Sequence, residues 1–435
     1  MKLELASFPV TNVRLDGRTG YDDGVLEINK EELVSLVLQD ERIVSADIDV
    51  AHPGEQTRIV YVRDAVEPRI KVSGPGCVFP GVLGPLETVG EGRTNTLSGV
   101  TVMHSARYEP TVLTGTGAQA SGVVDMWGPG ARFTPLSSTI NIVLLTELAT
   151  GINELEAHTA IQMAEFKVAR RLAETTKNAS PESVETFELS RVDPSLPRVV
   201  YVMGFITEWH TPVGRILFYG FPIKESLPSL VHPTEFLDGA LTTDTRKGTA
   251  RDMTTARLMN HPVVLALLRE HGKRLNFLGV ILQRTRFESE FGKQLTAATT
   301  SQMARLLGAD NAIITRTTPS GNNLMDAMLT VQACEKKGIK TVFLTPEAGA
   351  ADGRGPALHF YVPEATAMVS TGNLNTAPLM PAPTKVIGCA RGETVIVNPG
   401  AIPISPWSEV QIDAVTDLCD GVDWFGALDC RSAIY

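Results

Sequence analysis

Cysteine is scarce in this chain and poorly placed for structural use. The five thiols, Cys77, Cys334, Cys389, Cys419 and Cys430, are an odd number, widely scattered and without C-x-x-C spacing. That argues against a disulfide framework and a zinc ribbon, and leaves reduced thiols. Basic charge is short as well: a net charge of -10 without any basic run disfavours a nucleic-acid partner, and the acidity serves solubility. No apolar segment approaches the length of a membrane span, and acidic Glu4 sits where a signal peptide would carry its apolar run. A cytoplasmic protein without membrane contact is expected. His158 and His210 have no companion at ligand spacing, so no metal is expected.

What is present is a long chain with ample core. At 435 residues and 43% apolar content, two domains or more are expected. From Lys2 to Val72 the chain reads as short strands with one helix at Lys30 to Leu38, and Ser73 to Pro135 is rich in glycine and proline, the composition of loops that bring backbone close to something else. A helix is expected over Glu154 to Thr176, with Ile161, Ala164, Val168 and Leu172 inward, and strands at Val199 to Phe205 and Arg215 to Phe221.

Beyond residue 262 strand and helix alternate: Leu275 to Leu282, a helix over Glu288 to Leu307 with Phe291, Leu295, Met303 and Leu306 inward, Ala312 to Thr315, a helix over Asn323 to Lys337, Lys340 to Leu344, Ala367 to Ser370, and Val386-Ile387 with Val395 to Val397. The fold class expected is α/β. A mixed β-rich and α/β lobe spans 1–230, and a doubly wound, mostly parallel sheet of the flavodoxin or Rossmann kind spans 263–435. Ligands of such sheets bind beyond the strands' carboxyl ends. The loops there lack G-x-G-x-x-G and a phosphate-loop lysine, which argues against a nucleotide.

Between the two halves lies 231–262, polar, with two glycines and seven threonines and with His232-Pro233 and His261-Pro262 at its ends. It reads as a constrained connection, either a boundary or a functional loop, with little that wants burial. Its motifs His232-Pro233-Thr234-Glu235, Asp238-Gly239-Ala240 and Asn260-His261-Pro262-Val263, with His271-Gly272-Lys273 leading into Asn276-Phe277-Leu278-Gly279-Val280, resemble the proprotein subunit of component B of the clostridial glycine, sarcosine and betaine reductases, and more distantly that of D-proline reductase. Phe79 to Leu83, Glu87 to Asn95, Asp125 to Gly130 and Thr134-Pro135 extend the resemblance through the first half.

The resemblance implies a chain cut within this connection at a cysteine that becomes a pyruvoyl group. The matching positions here are Thr245-Arg246. Pyruvoyl formation needs a β-heteroatom that attacks the preceding carbonyl and is then eliminated, which arginine lacks. Thr243 and Thr245 could support an acyl shift, but elimination from threonine gives a ketobutyryl group. An uncut chain without a pyruvoyl cofactor is therefore expected, with Thr243, Asp244, Thr245 and Arg246 at the family's catalytic position.

Substrate contacts implied by the resemblance are Arg93, Asn95, His232, Glu235, Asp238, Asn322, Glu347, Asp352 and Asn373. Arg93 is singled out because its planar guanidinium matches a carboxylate bidentately; a structural salt bridge is the competing reading. The implied partners are a small zwitterion and a component-B-like reductase subunit carrying a catalytic cysteine or selenocysteine, in a homo- or hetero-oligomer. A scaffold that only assembles its partner is the alternative, and a self-cleaving enzyme that uses threonine is a third.

Overall fold

The computed structural model describes residues 1–106, 122–205, 216–222, 227–244, 253–285, 289–317, 321–349, 358–388, 405–412, 414–428 and 431–432. The chain is α/β with mixed sheets. A four-stranded sheet carries Gly92–Ser98 between Lys2–Pro9, which runs parallel to it, and Arg69–Ser73, which runs antiparallel; Ser183–Glu188 closes the far edge. A six-stranded sheet is built on Thr57–Val66, whose residues are buried throughout. The long helix Glu154–Ala173 crosses both sheets and buries Ile161, Ala164, Val168 and Leu172, as its spacing predicts.

The third sheet has seven strands. Five run parallel in the order Asn276–Arg284, Arg198–Phe205, Asn311–Thr315, Lys340–Glu347 and Met368–Asn373, and Ser229–Val231 and Arg431–Ser432 pair antiparallel at the two edges. Alternation along Arg198–Phe205 sends Tyr201 and Met203 into one core with the helix Pro262–Glu270, and Val200 and Val202 into another with Gly321–Glu335. Strand pairing crosses the connecting stretch both ways. Arg198–Phe205 joins this sheet from before the stretch, and Lys385–Ile387 pairs with Thr57–Val66 from after it. The expected strand at Val395 to Val397 lies outside the described residues.

One expected helix face is turned outward at Phe291, Leu295 and Leu306, while Met303 packs against the core as expected. In Glu290–Leu306 the buried residues are Lys293, Thr296, Ala297, Thr300, Ser301 and Ala304, whereas Phe291 is 75% and Leu306 78% exposed. Lys293 donates to Asp326 at 2.9 Å and to the Asn322 carbonyl, so the contact with the neighbouring helix is polar. The alanines and small hydroxyl residues beside it let the two helices approach closely, which the bulkier Phe291 face would not.

The connecting stretch also departs from expectation. It is ordered into the helix Pro233–Leu237, the strand Leu241–Thr243 and the helix Thr255–Met259, and residues 233–244 are buried. Its polarity is no obstacle, because its carboxylates and hydroxyls find partners inside the protein.

Candidate functional site: the connecting stretch and its buried carboxylates

The stretch enters through a capped helix. His232 stands at the N-cap of Pro233–Leu237 with proline at the first helical position, and the Glu235 Oε1 accepts the His232 N–H at 2.8 Å, completing a capping box. Tyr219 donates its hydroxyl to the other Glu235 oxygen at 2.6 Å. Burial pushes the Glu235 carboxyl up and holds the His232 imidazole down at about 4, so the histidine is neutral.

Asp238 ends that helix as a fully buried acceptor. Gly90 N–H donates to it at 2.8 Å, the Thr94 hydroxyl at 2.6 Å, and Lys71 forms an ion pair with it. Two glycines make this approach possible. A Cβ on Gly239, at φ +73°, would lie 2.6 Å from the Phe79 ring, and one on Gly90, at φ +97°, would lie 2.6 Å from the Thr234 hydroxyl. The glycine-rich loops of the first half therefore close on the connecting stretch.

The stretch then runs along a polar seam. Gln162 of the long helix donates to the Thr242 hydroxyl at 3.3 Å, and His158 lies 3.8 Å from the Asp244 carboxylate. Thr243 donates its N–H to the Thr255 hydroxyl oxygen at 3.0 Å and its own hydroxyl to the Met253 carbonyl. Thr254 presents N–H and hydroxyl to the two oxygens of Asp420 at 2.8 and 2.5 Å, and Thr255 does the same to Asp64 at 2.7 and 2.5 Å. Burial pushes Asp64 up to about 7 and raises Asp420 as well. Glu165, one turn beyond Gln162, is raised well above the carboxyl range by burial and then by the Asp64 charge.

The expected site residues fall into separate groups. Glu235, Asp238, Thr243 and Asp244 gather on the buried stretch, and His232 is half-buried at its entrance. Arg93 neighbours Thr94 on Gly92–Ser98, so alternation turns it to the face opposite Asp238, together with Asn95, which donates to Thr176. Arg93 has no ion pair among the described residues, and its buried Nε lacks a hydrogen-bond partner. Glu347 and Asn373 are register partners at the carboxyl ends of two parallel strands, and Asn322 accepts from Lys293 at the start of the next helix. Thr245, Arg246 and Asp352 lie outside the described residues, as does His210.

Several participants escaped the sequence reading. His158 is not isolated, since folding sets it against Asp244. His158, Gln162 and Glu165 recur at the spacing that puts side chains on one helical face, and all three are buried, so polar residues in step with the apolar ones were the signal. Asp64, within the fully buried Thr57–Val66, was another. Among the described residues, no group of three or more His, Cys, Asp or Glu is placed to hold a metal ion, and no helix is long and apolar enough to cross a membrane.

The family model for glycine/sarcosine/betaine reductase component B subunits matches residues 1–405. The chain is 34% identical over 426 residues to "Glycine reductase complex component B subunits alpha and beta" of Acetoanaerobium sticklandii, covering 96% of each. It is 32% identical to the Peptoclostridium acidaminophilum protein of the same description, over 99% of this chain and all of the relative. To "Sarcosine reductase complex component B subunit alpha" of that organism it is 34% identical over 89% of each. No solved structure matches.

Proposed function

We propose that this chain, which belongs to the family of glycine/sarcosine/betaine reductase component B subunits, works in a reductase complex as an uncut, non-pyruvoyl subunit that binds a small amino-acid-like zwitterion. The observation that carries the reading is Arg246 in a chain that otherwise follows its relatives almost end to end. Arginine has no β-heteroatom to eliminate, so a pyruvoyl group does not fit there. The partner's thiolate or selenolate would attack the carbon next to nitrogen, the amine leaving with the C–N electron pair and a thioether or selenoether remaining. Denaturing mass spectrometry tests it. One species near 46.9 kDa is expected, and two chains cut between Ala240 and Lys247 would sink the reading.

Substrate contacts belong to the same proposal. Arg93 has a guanidinium without a carboxylate partner among the described residues, which supports a carboxylate ligand over a structural ion pair. We read the third sheet as doubly wound. Its five parallel strands appear in chain order second, first, third, fourth, fifth, and Asn322, Glu347 and Asn373 stand near their carboxyl ends.

A second reading has its own support. Asp238, Asp64 and Asp420 each hold the connecting stretch through several hydrogen bonds, which suits a scaffold subunit that assembles its partner. A small molecule retained by the purified complex distinguishes binding from scaffolding.

A further inference from the structure

We infer that Glu165 and Asp64, at the floor of the seam holding the connecting stretch, form a binding site for a small organic ammonium ion. The inference rests on the zwitterionic substrate proposed above and names the residues that would receive its cationic end. Glu165 is fully buried, and among the described residues no side chain donates to either of its carboxyl oxygens, the His104 backbone N–H being the group that favours its charged form. Nearly all buried polar side chains are hydrogen-bonded, and an isolated buried carboxylate is costly.

Among the described residues, the charged groups nearby do not supply a side-chain partner. The charge that acts on Glu165 is Asp64, and the charge that acts on Asp64 is Asp420, both negative. Asp64 and Asp420 already accept from Thr255 and Thr254. Of the bases nearby, His158 faces Asp244, Arg257 is turned to Asp423 at 2.7 Å with its charge also acting on Asp420, and Arg63 donates to the Ala106 carbonyl. His104 contacts the Ile161 carbonyl and the Thr146 hydroxyl, and burial holds it down at about 3, so it is neutral. The seam thus presents a buried carboxyl group without a side-chain partner among the described residues, beside two further acidic groups, where Coulomb attraction for a cation is strong.

Without a ligand the same physics retains a proton, because burial and Asp64 both favour the neutral carboxyl. An ammonium takes that proton's place. Glu165 releases it to solvent and holds the cation as a carboxylate, with no covalent bond made or broken. One proton is therefore released for each cation bound. Because the seam is closed to solvent, binding requires the helix and the stretch to part.

Calorimetric titration of the full chain at pH 7, in two buffers of different ionisation enthalpy, counts those protons. The probes are tetramethylammonium chloride, betaine, glycine and sodium acetate. Tetramethylammonium and the two zwitterions are expected to bind with proton release, and acetate to release none. Glu165→Gln keeps the size and neutrality of the ligand-free carboxyl. It is expected to bind the cations roughly tenfold or more weakly and without proton release. Unchanged affinity in Glu165→Gln, binding without proton release, or no binding of tetramethylammonium by the wild-type chain each overturns the site. Zwitterions that bind wild type and Glu165→Gln equally leave the substrate reading standing alone. Tetramethylammonium binding that needs Glu165, with no zwitterion bound, leaves the site and removes the substrate reading.

Discussion

Thr255 offers both its N–H and its hydroxyl to the two carboxylate oxygens of Asp64, at 2.7 and 2.5 Å. One residue earlier, Thr254 makes the same pair of bonds to Asp420. Two buried carboxylates, one from each end of the chain, thus hold the point where the connecting stretch rejoins the fold. Removing the hydroxyl with Thr255→Val leaves a buried oxygen under-satisfied, a cost of about 1–3 kcal/mol. A lower denaturation midpoint with an unchanged slope is expected.

Asp64 also sets a pH dependence. Its carboxyl is raised to about 7 in the folded chain, against an ordinary value near 4 when unfolded. Between those values the folded state binds the proton more tightly. This group's stabilisation is full below about pH 4 and is lost as pH rises through 7. Melting points of wild type and Asp64→Asn across pH 4.5 to 7.5 check this, and the variant is expected to show the shallower decline with rising pH. Equal slopes would exclude Asp64 as the source.

Arg93 is expected to matter for ligand and little for stability, since it has no ion pair to lose among the described residues. A charge-assisted hydrogen bond contributes roughly 1.5–3 kcal/mol, so Arg93→Ala should bind an amino-acid-like ligand about ten- to a hundredfold more weakly. Arg93→Lys keeps charge without the fork and should fall between. A lowered melting point with an unaltered dissociation constant would remove Arg93 from the site.

Gly239→Ala places a methyl 2.6 Å from the Phe79 ring at a backbone angle that L side chains avoid. A loss of about 1–3 kcal/mol is expected from the backbone conformation alone. Thermal unfolding reads it directly.

The outward face of Glu290–Leu306, with Phe291 and Leu306 exposed, suits coverage by a partner. Phe291→Ser with Leu306→Ser is expected to leave the melting point of the isolated chain nearly unchanged and to weaken association on gel filtration or co-purification with the partner subunit. An assembly unaltered by the double substitution would place the interface elsewhere.

Local pattern made much of the architecture legible in the sequence. The period of Ile161, Ala164, Val168 and Leu172 gave the long helix its inward side, and apolar runs alternating with helices located the parallel strands of the third sheet. The motifs from His232 to Val280 were enough to indicate the family. Glu290–Leu306 was misread because period alone cannot tell which side a helix buries when the neighbouring helix offers Asp326 to a lysine.

The α/β class and the family were properties of the sequence by itself, carried by composition, periodicity and local motifs. Only the tertiary structure decided that the polar connection is buried. Thr255 and Asp64 are 191 residues apart in the chain, and Thr254 and Asp420 are 166 apart. No local pattern records such pairs, and the free energy of burying a polar group depends on whether its partner arrives. The same holds for Glu165, whose lack of a side-chain partner among the described residues emerges only when helix, strand and stretch are packed together.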